Sequence, residues 1–146
     1  DLHSFPTRRS SDLWQIRILG VCVQKMEDLG TEVILGSVND SAFGPTVMFG
    51  LGGIFVEVLK DVTFAVSPVS HSDALKMQAA IRGAKILAGA RGEAPRDREA
   101  MATTISRYSQ MILDLKDEIA ESDANPVMVY EDGKGLKVVD ARIILK

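Results

Sequence analysis

The chain has 146 residues, 46% of them hydrophobic and 25% charged, with a formal net charge of −3. That length sets one domain as the expectation, and the composition excludes a disordered polar tract. A slight excess of negative charge offers no footing for a nucleic acid or an anionic membrane, and no apolar run reaches the length of a bilayer span. Cys22 is the only cysteine, which excludes a disulfide framework and a thiolate metal cluster. Between Val21 and Val23 it reads as a small core residue. A cytoplasmic location is the simplest expectation.

Taken in order, the first 13 residues are polar and aperiodic, and His3 to Leu13 resembles the translation of a common sequencing-adapter oligonucleotide. They are expected to lie outside the fold, which leaves the natural N-terminus unread and gives His3, Arg8 and Arg9 no role. Residues 14–19 form a junction, and 20–146 are expected to be the folded unit. Gly20 to Met26 reads as a strand and Glu27 to Gly30 as a turn. Thr31 to Val38 is a second strand, alternating about Val33 and Leu35. Asn39 to Pro45 has loop chemistry. Thr46 to Phe49 is a short apolar strand that runs into Gly50, Gly52 and Gly53. Ile54 to Leu59 and Val62 to Val66 are further strands, separated by Lys60 and Asp61, and Pro68 ends that region.

The periodicity then changes. Ser70 or Ser72 caps a helix that begins near Asp73 and carries Leu75, Met77, Ala79, Ala80 and Ile81. Gly83 and Gly89 limit helix length nearby, and Arg91 to Pro95 is a loop. From Arg96 to about Leu115, Met101, Ile105, Tyr108, Met111, Ile112 and Leu115 recur at helical spacing; Met101 and Met111 read as core. Glu121 to Tyr130 and Leu136 to Leu145 close the chain as two apolar strands joined by a Gly-containing turn. Strands, then helices, then strands argue an α+β fold with a largely antiparallel sheet.

The closing hairpin carries the most suggestive chemistry. Asp123 and Asn125 fall in its first strand and Asp140 in its second. Three hard oxygen side chains in one place suit Mg²⁺, which usually serves phosphates. An Asx-turn before Pro126 and an outward Asp140 explain the same residues equally well. Asp140 tips the balance, because Val138, Val139, Ile143 and Ile144 make its strand read as core, where a carboxylate needs a partner or a cation. Gly52 and Gly53 permit close approach of backbone to a ligand, or merely a tight bend. Val23, Gln24 and Met26 end one strand and Glu32 opens the next. Free backbone groups at such an end can read an adenine edge and a carboxylate can accept from ribose hydroxyls, although plain edge polarity accounts for them too. His71 reads as a cap-region residue. Glu57, Asp61 and Arg91 read as solvated.

From about Leu19 to Leu145 the chain resembles the ADP-forming acyl-CoA synthetases, in the C-terminal part of their ATP-grasp region. The segments that carry the likeness are Gly20 to Met26, Glu32 to Gly36, the long and most specific run Phe43 to Val62, Arg91 to Pro95, Asp123 to Pro126, and Val139 to Leu145. The resemblance implies an ATP-grasp second subdomain of a ligase that interconverts acyl-CoA, ADP and phosphate with free acid, CoA and ATP. It implies ATP or ADP and Mg²⁺ as cofactors, with Asn125 and Asp140 as metal ligands and Asp123 as a weaker third. It further implies adenine contacts from Val23, Gln24 and Met26, a ribose contact from Glu32, and no catalytic base in this segment. The implied partners are a first ATP-grasp subdomain and a CoA-binding domain, in the parent protein or a partner subunit, so that this segment alone is inactive. A regulatory nucleotide-binding module of a multidomain protein acetyltransferase is the alternative. Lys25 stands where the family commonly has an acidic residue, Ala65 where it often has Arg, and Ala124 where it has a larger aliphatic residue.

Overall fold

A computed structural model describes residues 20–53, 60–90 and 92–146. The expectations for residues 1–19, for the strand at 54–59 with Glu57, and for Arg91 lie outside the described residues. In chain order the elements are β1 (Thr31–Asp40), β2 (Gly44–Leu51), β3 (Val62–Val66), α1 (His71–Ala80), α2 (Ala84–Leu87), α3 (Arg98–Asp114), β4 (Ile119–Val129), β5 (Leu136–Val138) and β6 (Ala141–Leu145). The strands form one antiparallel sheet in the order β3-β2-β1-β4-β5, with β6 also paired to β4. The α+β reading holds.

Period-two alternation decides which face of the sheet is covered. Val33 and Leu35 of β1 stand opposite Leu51 and Phe49 of β2, and all four are buried. With Val47, Ala124, Val127 and Val129 they make one apolar face, against which α1 and α3 pack Ala74, Met77, Ile81, Met101, Ala102 and Ile105. Phe49 is fully buried, which is worth roughly 1.5–3 kcal/mol relative to exposure. Helix α1 starts where Ser70 accepts the Asp73 N–H at 3.1 Å. The buried Ser109 hydroxyl of α3 accepts the Val69 N–H at 2.8 Å, and the Gln78 amide nitrogen donates to the Arg98 carbonyl at 3.0 Å, whereas the buried Gln78 Oε1 has no partner among the described residues.

Four expectations are corrected. Gly20 to Met26 does not form a strand, because no described strand lies alongside to complete a ladder. Cys22 is exposed on that segment rather than in the core. Met101 is core, but Met111 is on the outer side of α3. The last strand is interrupted at Val139 and Asp140 and is an edge. Val138 is 49% and Ile143 54% exposed, so its apolar run is not core and no burial forces a cation onto Asp140.

Asp97 fastens the helix layer to the hairpin. Its carboxylate accepts the Ala100 N–H at 2.9 Å, capping α3, and the Gly135 N–H at 2.8 Å in the turn before β5. These contacts, the Ala100 bond foremost, hold its acid pKa below the ordinary aspartate value despite burial, with help from the Gly133 backbone. A lowered folded pKa contributes stability above the unfolded value of about 3.9, lost as pH falls through the folded value. Asp97→Ala is therefore expected to cost about 1–2 kcal/mol at pH 7 in urea unfolding. The deficit relative to wild type should shrink as pH falls through the acid range below about 4. An unchanged urea midpoint at pH 7 would contradict the dual role.

Candidate functional site

Helices cover one face of the sheet, and the predicted site residues fall on the opposite side and at one end. There Glu32, at the start of β1, meets Gly52 and Gly53 just past β2. The Gly52 N–H donates to the Glu32 carbonyl at 2.8 Å. A Cβ at Gly52 would stand 2.9 Å from the Glu32 Cβ and 3.1 Å from its carbonyl carbon, and Gly53 has φ +60. Close approach, rather than turn geometry alone, therefore demands glycine at 52. The structure thus joins Glu32 to the glycine pair, a contact that no local spacing announces.

The segment 20–29, without regular secondary structure, precedes β1. Val23 is 91% and Met26 90% exposed, and Gln24 is exposed as well. Their backbone is free of sheet pairing among the described residues. The segment touches the sheet at Gly30, whose added Cβ would lie 2.9 Å from the Val129 carbonyl oxygen.

Further along, Asn125 and Asp140 are brought directly opposite each other. The Asn125 N–H donates to the Asp140 carbonyl at 3.0 Å, and the Val139 N–H to the Pro126 carbonyl at 3.0 Å. This follows from a bulge in β4. Val33 pairs with Val127 and Leu35 with Ala124, so Asn125 and Pro126 together oppose Ile34 alone. The Asn125–Pro126 peptide is cis. Asn125 and Asp140 are both exposed, and an Asp140 carboxylate oxygen accepts the Ala141 N–H at 2.8 Å. Asp123 is one row away, where Arg142 holds it at 3.6 Å and reaches Glu121 at 3.4 Å. Gly36, Thr46, Met48 and Phe64 line, with Asp123 and Arg142, a cavity of about 200 Å³ over the uncovered face.

Behind Asp123, on the helix side, the Ser37 and Ser122 hydroxyls lie 2.8 Å apart, and the Tyr108 hydroxyl reaches both. Burial pushes the Tyr108 phenol above its ordinary pKa. This cluster fixes the strand that presents Asp123.

The donor set near Asn125 suits a hard cation. Asn125 and Asp140 are joined through the backbone, and each carries an exposed side-chain oxygen; Mg²⁺ characteristically keeps several waters and takes few protein ligands. No group of three or more His, Cys, Asp or Glu able to hold a metal occurs among the described residues, so a site sequestered wholly by such protein ligands is not built here. His71 meets Glu99 at 3.2 Å at the start of α1, away from these residues. Asp61, expected in solvent, is instead buried and accepts the Arg82 and Gly83 N–H groups at 2.7 Å each, tying the turn before α2. Arg142 and Lys137 were given no role by sequence reasoning. Arg142 lies within the Val139 to Leu145 segment that carries the family likeness, whereas only the strand register reveals Lys137.

The sheet leaves one face uncovered and folds a glycine loop onto an acidic strand start, and the ATP-grasp domain family model matches residues 3–145. The chain belongs to that family. More particularly, it is 54% identical over 129 residues to the acetate–CoA ligase (ADP-forming) II subunit beta of Pyrococcus furiosus, covering 88% of this chain and 55% of that subunit. To acetate–CoA ligase (ADP-forming) I of Archaeoglobus fulgidus it is 47% identical over 129 residues, covering 88% of this chain and 18% of that protein. A solved structure of the acetyl-coenzyme A synthetase 1 of Ca. Korarchaeum cryptofilum, in complex with coenzyme A and Mg-AMPPCP, matches with a TM-score of 0.77 at 47% identity, over 82% of this chain and 55% of that one. The chain spans about half the length of the subunit beta relative. No helix of the described residues is long and apolar enough to cross a membrane.

Gly52→Ala is expected to lose about 1–3 kcal/mol in urea unfolding, because the added methyl would press on the Glu32 Cβ and backbone, none of which is the far end of a flexible side chain. Gly20→Ala, with nothing within 4 Å, should be neutral to within about 0.5 kcal/mol. Equal midpoints for the two variants would remove the close-approach argument.

Proposed function

We propose that this chain is the nucleotide- and magnesium-binding part of an ADP-forming acid–CoA ligase, which interconverts acyl-CoA, ADP and phosphate with free acid, CoA and ATP. The observation that carries the reading is the register placing Asn125 opposite Asp140. The names of the relatives, acetate–CoA ligases, and the Mg-AMPPCP in a matching structure support it. Because those relatives are longer, the CoA-binding and first ATP-grasp subdomains come from the rest of the parent protein or from a partner subunit. A cytoplasmic setting fits such an enzyme.

The nucleotide site is read along the sheet. Val23, Gln24 and Met26 offer exposed backbone to the base. Glu32 accepts from the ribose hydroxyls, and Gly52 and Gly53 keep the space beside it clear of side chains. Asn125 Oδ1 and the Asp140 carboxylate would hold the metal, with the Asp123 carboxylate as a weaker third oxygen. When bound, Mg²⁺ offsets the charge that spreads over the transferred phosphoryl oxygens. The chain's own contribution is to position and to supply fixed dipoles on strands rather than loops. It needs no general base of its own. We assign residues 20–146 to the subdomain and place 1–13 outside it.

The test joins residues 20–146 to the remaining half of the ATP-grasp region of the subunit beta relative. Titration with a nonhydrolysable nucleotide should show Mg²⁺-dependent binding. Asn125→Ala and Asp140→Ala are each expected to weaken the Mg²⁺-dependent part about 10- to 100-fold, leaving urea stability within about 0.5 kcal/mol because both side chains are exposed. Binding that ignores both substitutions would overturn the metal assignment.

A further inference from the structure

We propose that Lys137 is a positioning residue: through Glu27 it latches the segment 24–29 onto the sheet and so sets where the backbone meets the nucleotide base. The proposal rests on the nucleotide reading above, and its structural half can be tested without it.

The geometry isolates this contact. Among the described residues no backbone hydrogen bond joins 20–29 to the rest of the chain. The one side-chain hydrogen bond that does so runs from Lys137 Nζ to Glu27 Oε2, at 2.6 Å across 110 positions of sequence. Beneath the segment lies a cavity of about 350 Å³ lined by Glu27, Asp28, Leu29, Tyr130, Lys134 and Lys137 among others, so residues 27–29 bridge a gap instead of packing down. The segment is therefore held at two points, the close approach at Gly30 and the ion pair at Glu27. A chain pivoting at one end is fixed in direction only by its second attachment.

Lys137 also stands in the right row. It pairs with Met128, which pairs with Glu32, so the three occupy one line across β5, β4 and β1 at the end where Glu32 meets Gly52. A displacement of the latch is thus felt beside the residue assigned to ribose. Lys25 lies 3.6 Å from the same Glu27 carboxylate. The hydrogen bond from Lys137 is the largest of the influences holding the Glu27 carboxyl below its ordinary pKa, and Lys137 is raised in return.

Backbone ¹⁵N relaxation of the chain itself tests the latch. Lys137→Gln and Glu27→Gln should each lower the order parameters of residues 24–29 while leaving β1 and β4 unchanged, and the exchanged pair Glu27→Lys with Lys137→Glu should restore them. In the protein joined to the other ATP-grasp half, Lys137→Gln should raise the nucleotide Kd about two- to fivefold, as suits a solvent-accessible ion pair, and the exchanged pair should recover most of it. Unchanged order parameters, or no recovery on exchange, would overturn the latch. Loosened residues 24–29 with an unaltered Kd would overturn the positioning role. If the wild-type joined protein bound no nucleotide, the functional reading would fall, and the relaxation data would still decide the latch.

Discussion

The extra residue in β4 is the constraint on which the arrangement turns. Ala124, Val127 and Val129 all contribute to the buried face, yet regular alternation from Ala124 would send Val127 and Val129 outward. Setting Asn125 and Pro126 against Ile34 alone restores the inward phase. The bulge removes Asn125 from the ladder with β1 and leaves its N–H to the opposite strand, where the Asp140 carbonyl accepts it. Core burial and the pairing of the two candidate metal ligands are thus one event. Bulges commonly re-aim side chains beside active sites, and here the apolar packing enforces one.

Two polar anchors then stiffen the platform. The Tyr108, Ser37 and Ser122 hydroxyls bind α3 to β1 and β4 directly behind the uncovered face. Asp97 binds the start of the same helix to the hairpin turn. Each anchor is largely withdrawn from solvent, where a hydrogen bond is stronger and an unmade one more costly. The candidate ligands consequently sit beside strands held from behind. The segment 20–29 lies outside this scheme: among the described residues it is held by the close approach at Gly30 and the Lys137–Glu27 ion pair.

Local patterns in the sequence carried the reading some distance. Alternation located β1, β2 and β3, capping and helical spacing located α1 and α3, and the α+β order followed from their succession. Failures came where context decides. Val21 and Val23 alternate as in a strand, but a strand exists only against a partner. Val138, Ile143 and Ile144 look like core, yet β6 is an edge, and apolar content does not distinguish an edge from a centre. Met111 satisfies helical spacing on a helix only part of whose surface is covered. Asp61 looked like a solvated strand-end charge and instead closes the turn before α2 through two backbone bonds.

By itself the sequence nominated the candidate site residues, among them Glu32, the glycine pair, Asn125 and Asp140, because residue type and local order are enough to pick out hard oxygen donors and places for close approach. It also determined the class of fold, since periodicity is local. Tertiary structure decided which of those residues meet. Asn125 faces Asp140 because of a bulge set by burial elsewhere on the strand, Gly52 meets Glu32 across the β1–β2 pair, and Lys137 reaches Glu27 across most of the chain. Such contacts depend on register and on the phase of side chains between strands, and those quantities are fixed only when the core closes.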